Sequence, residues 1–291
     1  MDYLLQFLFS GLTRGSVYAV VGIGFAIIYS ASRVINFAQG EFVMMGGMVT
    51  AWLATSFGVP VPLAALAGIA AAVATGVALE RLVVGRARAA TPTTLIIITI
   101  GASIFIRGAV EVLLGKRDYM LPAFSGDVPI AVGQASLQPQ SLWVLATLVV
   151  VGLLLKWLLG HTLAGKAMLA TAQNDMAAKI VGINTRRVLL YSFAASGALG
   201  AVAGIVITPI TLTRFDIGVM LGLKGFCAAI IGGIASPFGA IAGGLGLGIL
   251  EALAGGYISS AYQDAVAFLV LLAVLFLRPD GLFAPHGSER V

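Results

Sequence analysis

Six charged side chains fall inside strongly apolar stretches of this sequence: Glu41, Arg107, Glu111, Lys224, Glu251 and Asp264. A charge at the bilayer centre costs about 2.5–3.5 kcal/mol on the insertion scale, so such residues face protein or water and mark pathways, gates or ion pairs. Arg107 and Glu111 are four apart on one helical face and are expected to pair. Asp264 lies near the end of its apolar run and reads as interfacial. Glu41 and Glu251 each follow a Gly-rich helix opening. The candidates for a translocation path or gate are therefore Asn36, Phe37, Gly40 and Glu41 with Gly239, Gly243 and Glu251. The plain alternative for the two acids is helix-end capping or packing.

Enzyme chemistry finds no foothold. His161 and His286 are far apart, Cys227 is the only cysteine, and no H-E-x-x-H or G-x-S-x-G occurs, so neither a catalytic residue nor a metal site is expected. No G-x-x-x-x-G-K-[ST] occurs either. The nearest approach, Gly244-Leu-Gly-Leu-Gly248, lies in an apolar run without lysine, so the chain is not expected to hydrolyse ATP alone.

The elements that must position these residues follow from composition. Of 291 residues, 59% are hydrophobic and 10% charged, with a mean hydropathy of +1.04. Soluble domains carry about 25% charged residues, so most of this chain faces lipid or other membrane helices. At about 20 residues per span, nine spans occupy about 180 positions and leave no room for a separate soluble domain. The expected fold class is an all-α integral membrane protein, a polytopic bundle of eight to nine transmembrane helices forming one domain over residues 1–291.

Apolar runs place spans near 8–30, 37–57, 61–84, 93–114, 141–160, 187–208, 218–234, 238–256 and 262–278. The second, seventh and eighth are the weakest, because Gly, Pro and charges interrupt them; eight spans and a re-entrant piece within 209–237 is the competing count. The N-terminus carries Asp2 rather than a basic lead and reads as a retained first helix, not a secretory signal. The net charge of +5 resides in loops, where it orients the protein and does not indicate nucleic acid. Arg81, Arg86 and Arg88, the basic residues of 161–187, and Arg278 with Arg290 fall on one side, which the positive-inside rule makes cytoplasmic. The 115–140 loop balances Lys116 and Arg117 with Asp118 and Asp127 and falls on the other. The C-terminus is thus expected inside and the N-terminus outside.

Small residues four apart recur at Gly11/Gly15, Gly200/Gly204, Gly218/Gly222, Gly239/Gly243 and Gly244/Gly248, a spacing that lets helix backbones approach in lipid. A short repeat relates the helix opening at Asn36–Gly40 to that at Ser236–Gly239, and paired interrupted segments point to a transport site.

One polar segment stands out. His161–Arg187 carries Lys166, Lys179, Arg186 and Arg187 against Asp175 alone, too polar to span a bilayer and too helix-prone for a plain linker. Ala167, Ala170, Ala177 and Ala178 favour a helix, and Gly182 offers a stop with Ile183 beyond. A helix lying on lipid headgroups is one reading of it.

Four motifs in order carry a family resemblance. They are Gly15-Ser-Val-Tyr-Ala19 with Ile35-Asn-Phe-Ala-Gln-Gly-Glu41; Gly165-Lys-Ala167 through Asn174, Ala178 and Gly182-Ile-Asn184; Ser196-Gly-Ala198 leading to Ala203-Gly204; and Gly225–Ile234 with Gly239-Ala240, Gly243-Gly244 and Glu251. With these the chain resembles the inner-membrane permease subunits of ATP-binding-cassette importers for branched-chain amino acids, the smaller of the two permease types. Leu169 departs from the pattern, standing where the family usually has arginine.

The resemblance implies alternating access and a set of partners: a second related permease, two cytoplasmic ATPases that use ATP and Mg, and a periplasmic or extracellular solute-binding protein. No cofactor is expected on this chain itself. It also recasts the polar segment as a cytoplasmic coupling helix that docks on an ATPase, with Gly165, Lys166, Ala167, Ala170, Asn174, Ala178, Gly182 and Ile183 as its contact residues. Urea or short amides are alternative cargoes within the family. An autonomous channel or ion-coupled secondary carrier is the alternative outside it.

Overall fold

A computed structural model describes residues 2–87, 91–133 and 135–283. Arg88, His286 and Arg290 lie outside the described residues. Eleven α-helices follow in order: α1 Asp2–Ser32, α2 Gln39–Phe57, α3 Val61–Leu79, α4 Pro92–Leu114, α5 Pro139–His161, α6 Leu163–Gln173, α7 Asp175–Ile180, α8 Thr185–Thr211, α9 Ile217–Gly232, α10 Pro237–Tyr257 and α11 Gln263–Leu277. A π-helical turn, Glu80–Val84, prolongs α3. A small antiparallel hairpin, β1 Ile130–Val132 and β2 Ala135–Leu137, lies in the α4–α5 connection, within the expected 115–140 loop. Pro sits in the first turn of α3, α4, α5 and α10, where its missing N–H is not needed.

Among the described residues, seven helices are long and apolar enough to cross a membrane: α1, α3 with its π-helical turn, α4, α5, α8, α10 and the α11 region. The expected second and seventh spans differ from these. The second, α2, spends its first turns on buried Gln39 and Glu41. The seventh, α9, has 16 residues, about 24 Å at 1.5 Å per residue, short of the ~30 Å hydrocarbon core. Both are polar or short because they are wrapped by protein. The eighth, α10, is a full span despite its glycines.

Packing reveals a repeat different from the expected one. Helix α1 lies along α10 as α8 lies along α3; α2 packs on α8 as α9 packs on α1; α2 meets α3 and α4 as α9 meets α10 and α11. The halves are therefore α1–α4 and α8–α11, and α2 corresponds to α9, not to α10 as the Asn36/Ser236 match suggested. The halves run oppositely. Gln6, early in α1, accepts the Ser136 N–H from β2, and Tyr119 pairs with Thr213 just after α8. At the other end, Arg33 beyond α1 bonds Ala172, ahead of α8. Ser30 donates to the Ala235 carbonyl, and the Leu282 N–H reaches the Ile231 carbonyl at this same end.

Glycine permits these crossings. All five small-residue pairs lie against a neighbouring helix; a Cβ on Gly204 would strike the Val43 carbonyl, and one on Gly218 the Gly40 carbonyl. Gly244 and Gly246 on α10 offer a matched comparison. A Cβ on Gly244 meets the Ala19 backbone of α1, whereas Gly246 faces open space. Gly244→Leu is expected to lose most of the folded protein, since overpacking costs ~1–3 kcal/mol even where side chains can yield and backbone cannot. Gly246→Leu is expected to keep the wild-type yield and melting temperature in detergent. Equal behaviour of the two variants would contradict the close α1–α10 contact.

Candidate functional site

The intramembrane charges separate into two groups. The larger joins α1, α9, α10 and α11. Lys224 Nζ lies 2.7 Å from Glu251 Oε1 and 2.6 Å from Asp264 Oδ1. The Tyr18 hydroxyl donates to Glu251 Oε1 at 3.3 Å and accepts from Lys224 at 3.3 Å. Arg14 Nη1 stands 3.8 Å from the same carboxylate oxygen and donates to Gln263 Oε1. Lys224, Arg14 and the Tyr18 hydroxyl thus converge on one buried oxygen of Glu251, and Lys224 also reaches Asp264. Burial of such charges is tolerable only when they are paired and hydrogen-bonded. Asp264, expected to be interfacial, is 56% exposed in the first turn of α11 and joins this network through Lys224.

The smaller group lies where α2 meets α4. Ser103 Oγ donates to Glu41 Oε1 at 2.7 Å, and the Phe37 N–H bonds Thr99 Oγ1 at 3.3 Å. Asn36 Oδ1 accepts the Ala38 N–H and shapes the entry to α2. Among the described residues, three buried side-chain polar atoms have no hydrogen-bond partner: Asn36 Nδ2, Glu41 Oε2 and Glu251 Oε2. Buried polar atoms are nearly always satisfied, which makes these three exceptions among the described residues. Glu111, expected to pair with Arg107, forms its ion pair with Lys116 at 2.8 Å.

The residues expected to line one path are not brought together. Gly40 faces Gly218 and Gly222, Gly239 faces Gly232, and Gly243 faces Ala228. These three serve helix contacts. Phe37 packs at a tilt against Phe226, which in turn meets Phe25. Glu41 belongs to the α2–α4 contact and Glu251 to the α1–α10 region. In the α8–α9 connection, Arg214 grips Asp216 with two hydrogen bonds and holds its carboxyl below the usual carboxylate range.

The polar segment is two helices rather than one. Thr162 caps α6 by accepting the Gly165 N–H, and α6 ends at Gln173 because the extended backbone of Asn174 (φ −155°, ψ 105°) breaks the helix. Asn174 Oδ1 then caps α7 by accepting the Ala177 N–H. Gly182, at φ +88°, provides the stop expected of it, and the Ile183 N–H reaches back to Ala178 O.

The expected contact residues divide by face. Gly165 is buried, and a Cβ there would meet the Leu158 carbonyl of α5. Ala178 is 2% exposed. Both therefore hold the segment to the bundle, and a bulky charge at either would test the fold rather than docking. Lys166, Asn174 and Gly182 are exposed; Ala167, Ala170 and Ile183 are half-buried. Ala167 and Ile183 line an apolar groove with Met168, Val188 and Tyr191. The outward apolar surface includes three residues that sequence reasoning passed over, Met176, Ile180 and Val181, at 72%, 81% and 74% exposed, and Leu169 at 46%. Leu169, in the family's arginine position, is thus a surface residue.

Inverted helical halves around buried ion networks, with a short two-helix element across one end, are the framework of a polytopic membrane transport protein. Residues 7–275 match the family described as the branched-chain amino acid transport system / permease component. The high-affinity branched-chain amino acid transport system permease protein LivH of Escherichia coli K12 is 34% identical over 310 aligned residues, covering 99% of this chain and 98% of that protein. BraD of Pseudomonas aeruginosa, named likewise, is 32% identical, covering 99% and 98%. A solved structure, PsaBC from Streptococcus pneumoniae in complex with Fab, superposes with a TM-score of 0.54 at 13% identity, covering 96% of this chain and 95% of that one. The chain belongs to the branched-chain amino acid transport system permease family.

Proposed function

We propose that this chain is the membrane-spanning permease of an ATP-binding-cassette importer, forming one permease unit over residues 1–291 and moving branched-chain amino acids inward by alternating access. The observation that carries this reading is the α6–α7 element. It lies across one end of the bundle, fixed from within by Gly165 and Ala178, and presents Met176, Ile180 and Val181 outward. In an ATP-driven importer whose permease has no phosphate-binding loop, another protein hydrolyses the ATP, and this element is where such a protein would press. The family and the names of its relatives support the cargo class.

The α6–α7 end is the cytoplasmic one in this reading. Arg33, Lys179 and Arg278 gather there, while the balanced 115–140 loop lies opposite, as the positive-inside pattern requires. The N-terminal end of α1 is then outside and the chain is a multi-pass protein of the cytoplasmic membrane. Its partners are a second related permease, two ATPases that use ATP and Mg, and an extracytoplasmic solute-binding protein. Urea or short amides, an autonomous channel and an ion-coupled carrier are less well supported, since full-length likeness to the amino-acid permeases accounts for none of them.

Affinity purification of this chain from its native membrane, followed by identification of bound subunits, tests the proposal. An ATPase bearing a phosphate-binding loop and a second permease are expected to co-purify. Recovery of the intact chain alone after gentle extraction would contradict it.

A further inference from the structure

Arg33 is the first residue beyond α1 and adopts φ +57°, a left-handed backbone usually left to Gly or Asn at this position after a helix. Its N–H closes the last turn of α1 on the Tyr29 carbonyl, and its guanidinium lies 5.8 Å from the Tyr29 ring centroid. From there Nη2 reaches the Ala172 carbonyl at 2.6 Å. Ala172 stands in the last turn of α6, whose carbonyls lack intrahelical partners, one residue before α6 ends at Gln173. Directly beside this bond is a cleft of 360 Å³, lined by Ser32, Arg33, Gln173, Asp175 and Lys179 among others. Across this cleft the Arg33 side chain joins the segment to the end of α1.

The two ends of that bridge matter. On one side is the hinge-like break between α6 and α7. On the other is the 33–38 elbow, which holds buried Asn36 with its unpartnered Nδ2 and feeds straight into buried Gln39 and Glu41. Helix α1 itself runs through the centre of the bundle against α8, α9 and α10.

We infer that Arg33 is a positioning residue for transport, tying the α6–α7 element to the α1–α2 elbow so that displacement of one carries the other. This rests on the importer reading above. The strained backbone is retained because it aims the guanidinium at Ala172.

The test compares wild type, Arg33→Gly and Arg33→Lys in the complete reconstituted complex, measuring leucine uptake and ATP hydrolysis in the same vesicles. Glycine accepts the positive φ and removes the tie. Arg33→Gly is expected to hydrolyse ATP normally while solute moved per ATP falls about fivefold or more, with Arg33→Lys restoring part of the ratio. A wild-type ratio in Arg33→Gly overturns the inference, because a purely structural arginine would lower both rates together.

A second measurement guards against a folding defect. In the Arg33→Cys/Gln173→Cys variant, joining the two thiols with a flexible bis-maleimide is expected to raise uptake per ATP above that of the unlinked protein. Loss of uptake on linking would mean that the elbow and α6 must separate, and would overturn it. A wild-type complex without ATP-dependent uptake overturns the importer reading first, before any variant is compared.

Discussion

Lys224→Met is expected to leave little folded protein. The substitution keeps the side-chain length and removes the cation that stands 2.7 Å from Glu251 and 2.6 Å from Asp264. Glu251 is almost wholly buried, and Arg14, at 3.8 Å and half exposed, is a poor substitute for Lys224. Breaking a buried pair from one side costs ~3–5 kcal/mol, because a charge is left without compensation. That is comparable to much of the ~5–15 kcal/mol by which ordinary domains are stable. The remedy distinguishes this cause from a packing defect. Lys224→Met with Glu251→Gln removes both charges and is expected to recover most of the yield and melting temperature in detergent, while Glu251→Gln alone is mild. If the double variant is as poor as Lys224→Met, the ion network is not what holds α9 against α10. Glu251 Oε1 is held by Lys224 and Tyr18, whereas Glu41 Oε1 accepts one hydrogen bond, from Ser103, so neutralising Glu41 is expected to alter transport more than it alters stability.

Met176→Asp with Ile180→Asp is expected to abolish ATP-driven uptake while the membrane bundle stays folded. Both side chains are exposed on α7, a helix of six residues whose Ala178 alone faces inward. Nothing in the bundle depends on them. A contact anchored by such residues typically loses ~2 kcal/mol or more for each anchor removed. Two changes should weaken ATPase association by at least about two orders of magnitude. Co-purification and uptake should fall together, with the yield and melting temperature of the permease unchanged. Full retention of the ATPase by this variant would contradict docking at α7 and favour a helix that lies on lipid.

The spans were largely legible because lipid imposes one rule on every helix. Expected spans 61–84, 93–114 and 141–160 agree within two residues with Val61–Val84, Pro92–Leu114 and Pro139–His161. Helices α2 and α9 obeyed that rule least because protein, not lipid, surrounds them. The break at Asn174 had a signal: an Asn followed by Asp175, the common chemistry of a helix start, inside an otherwise helical run.

The ion network was harder to see. Each member reads alone as a costly charge, and only the fold shows that Lys224 and Glu251, 27 positions apart, meet Arg14 and Asp264. The repeat was misread for a related reason. Short Gly-rich matches at Asn36 and Ser236 share composition, whereas the true correspondence of α2 and α9 lies in which helices they touch. Arg33 left no mark in the sequence, since a left-handed arginine is visible only in its backbone.

The central claim is that this chain moves solute only when an ATPase acts on it. Leucine uptake into proteoliposomes tests that most directly, with the purified permease alone and with the assembled permease–ATPase complex, each with its binding protein and with or without ATP on the α6–α7 side. Accumulation is expected only for the complex with ATP. Accumulation by the chain alone, or by the complex without ATP, would contradict it.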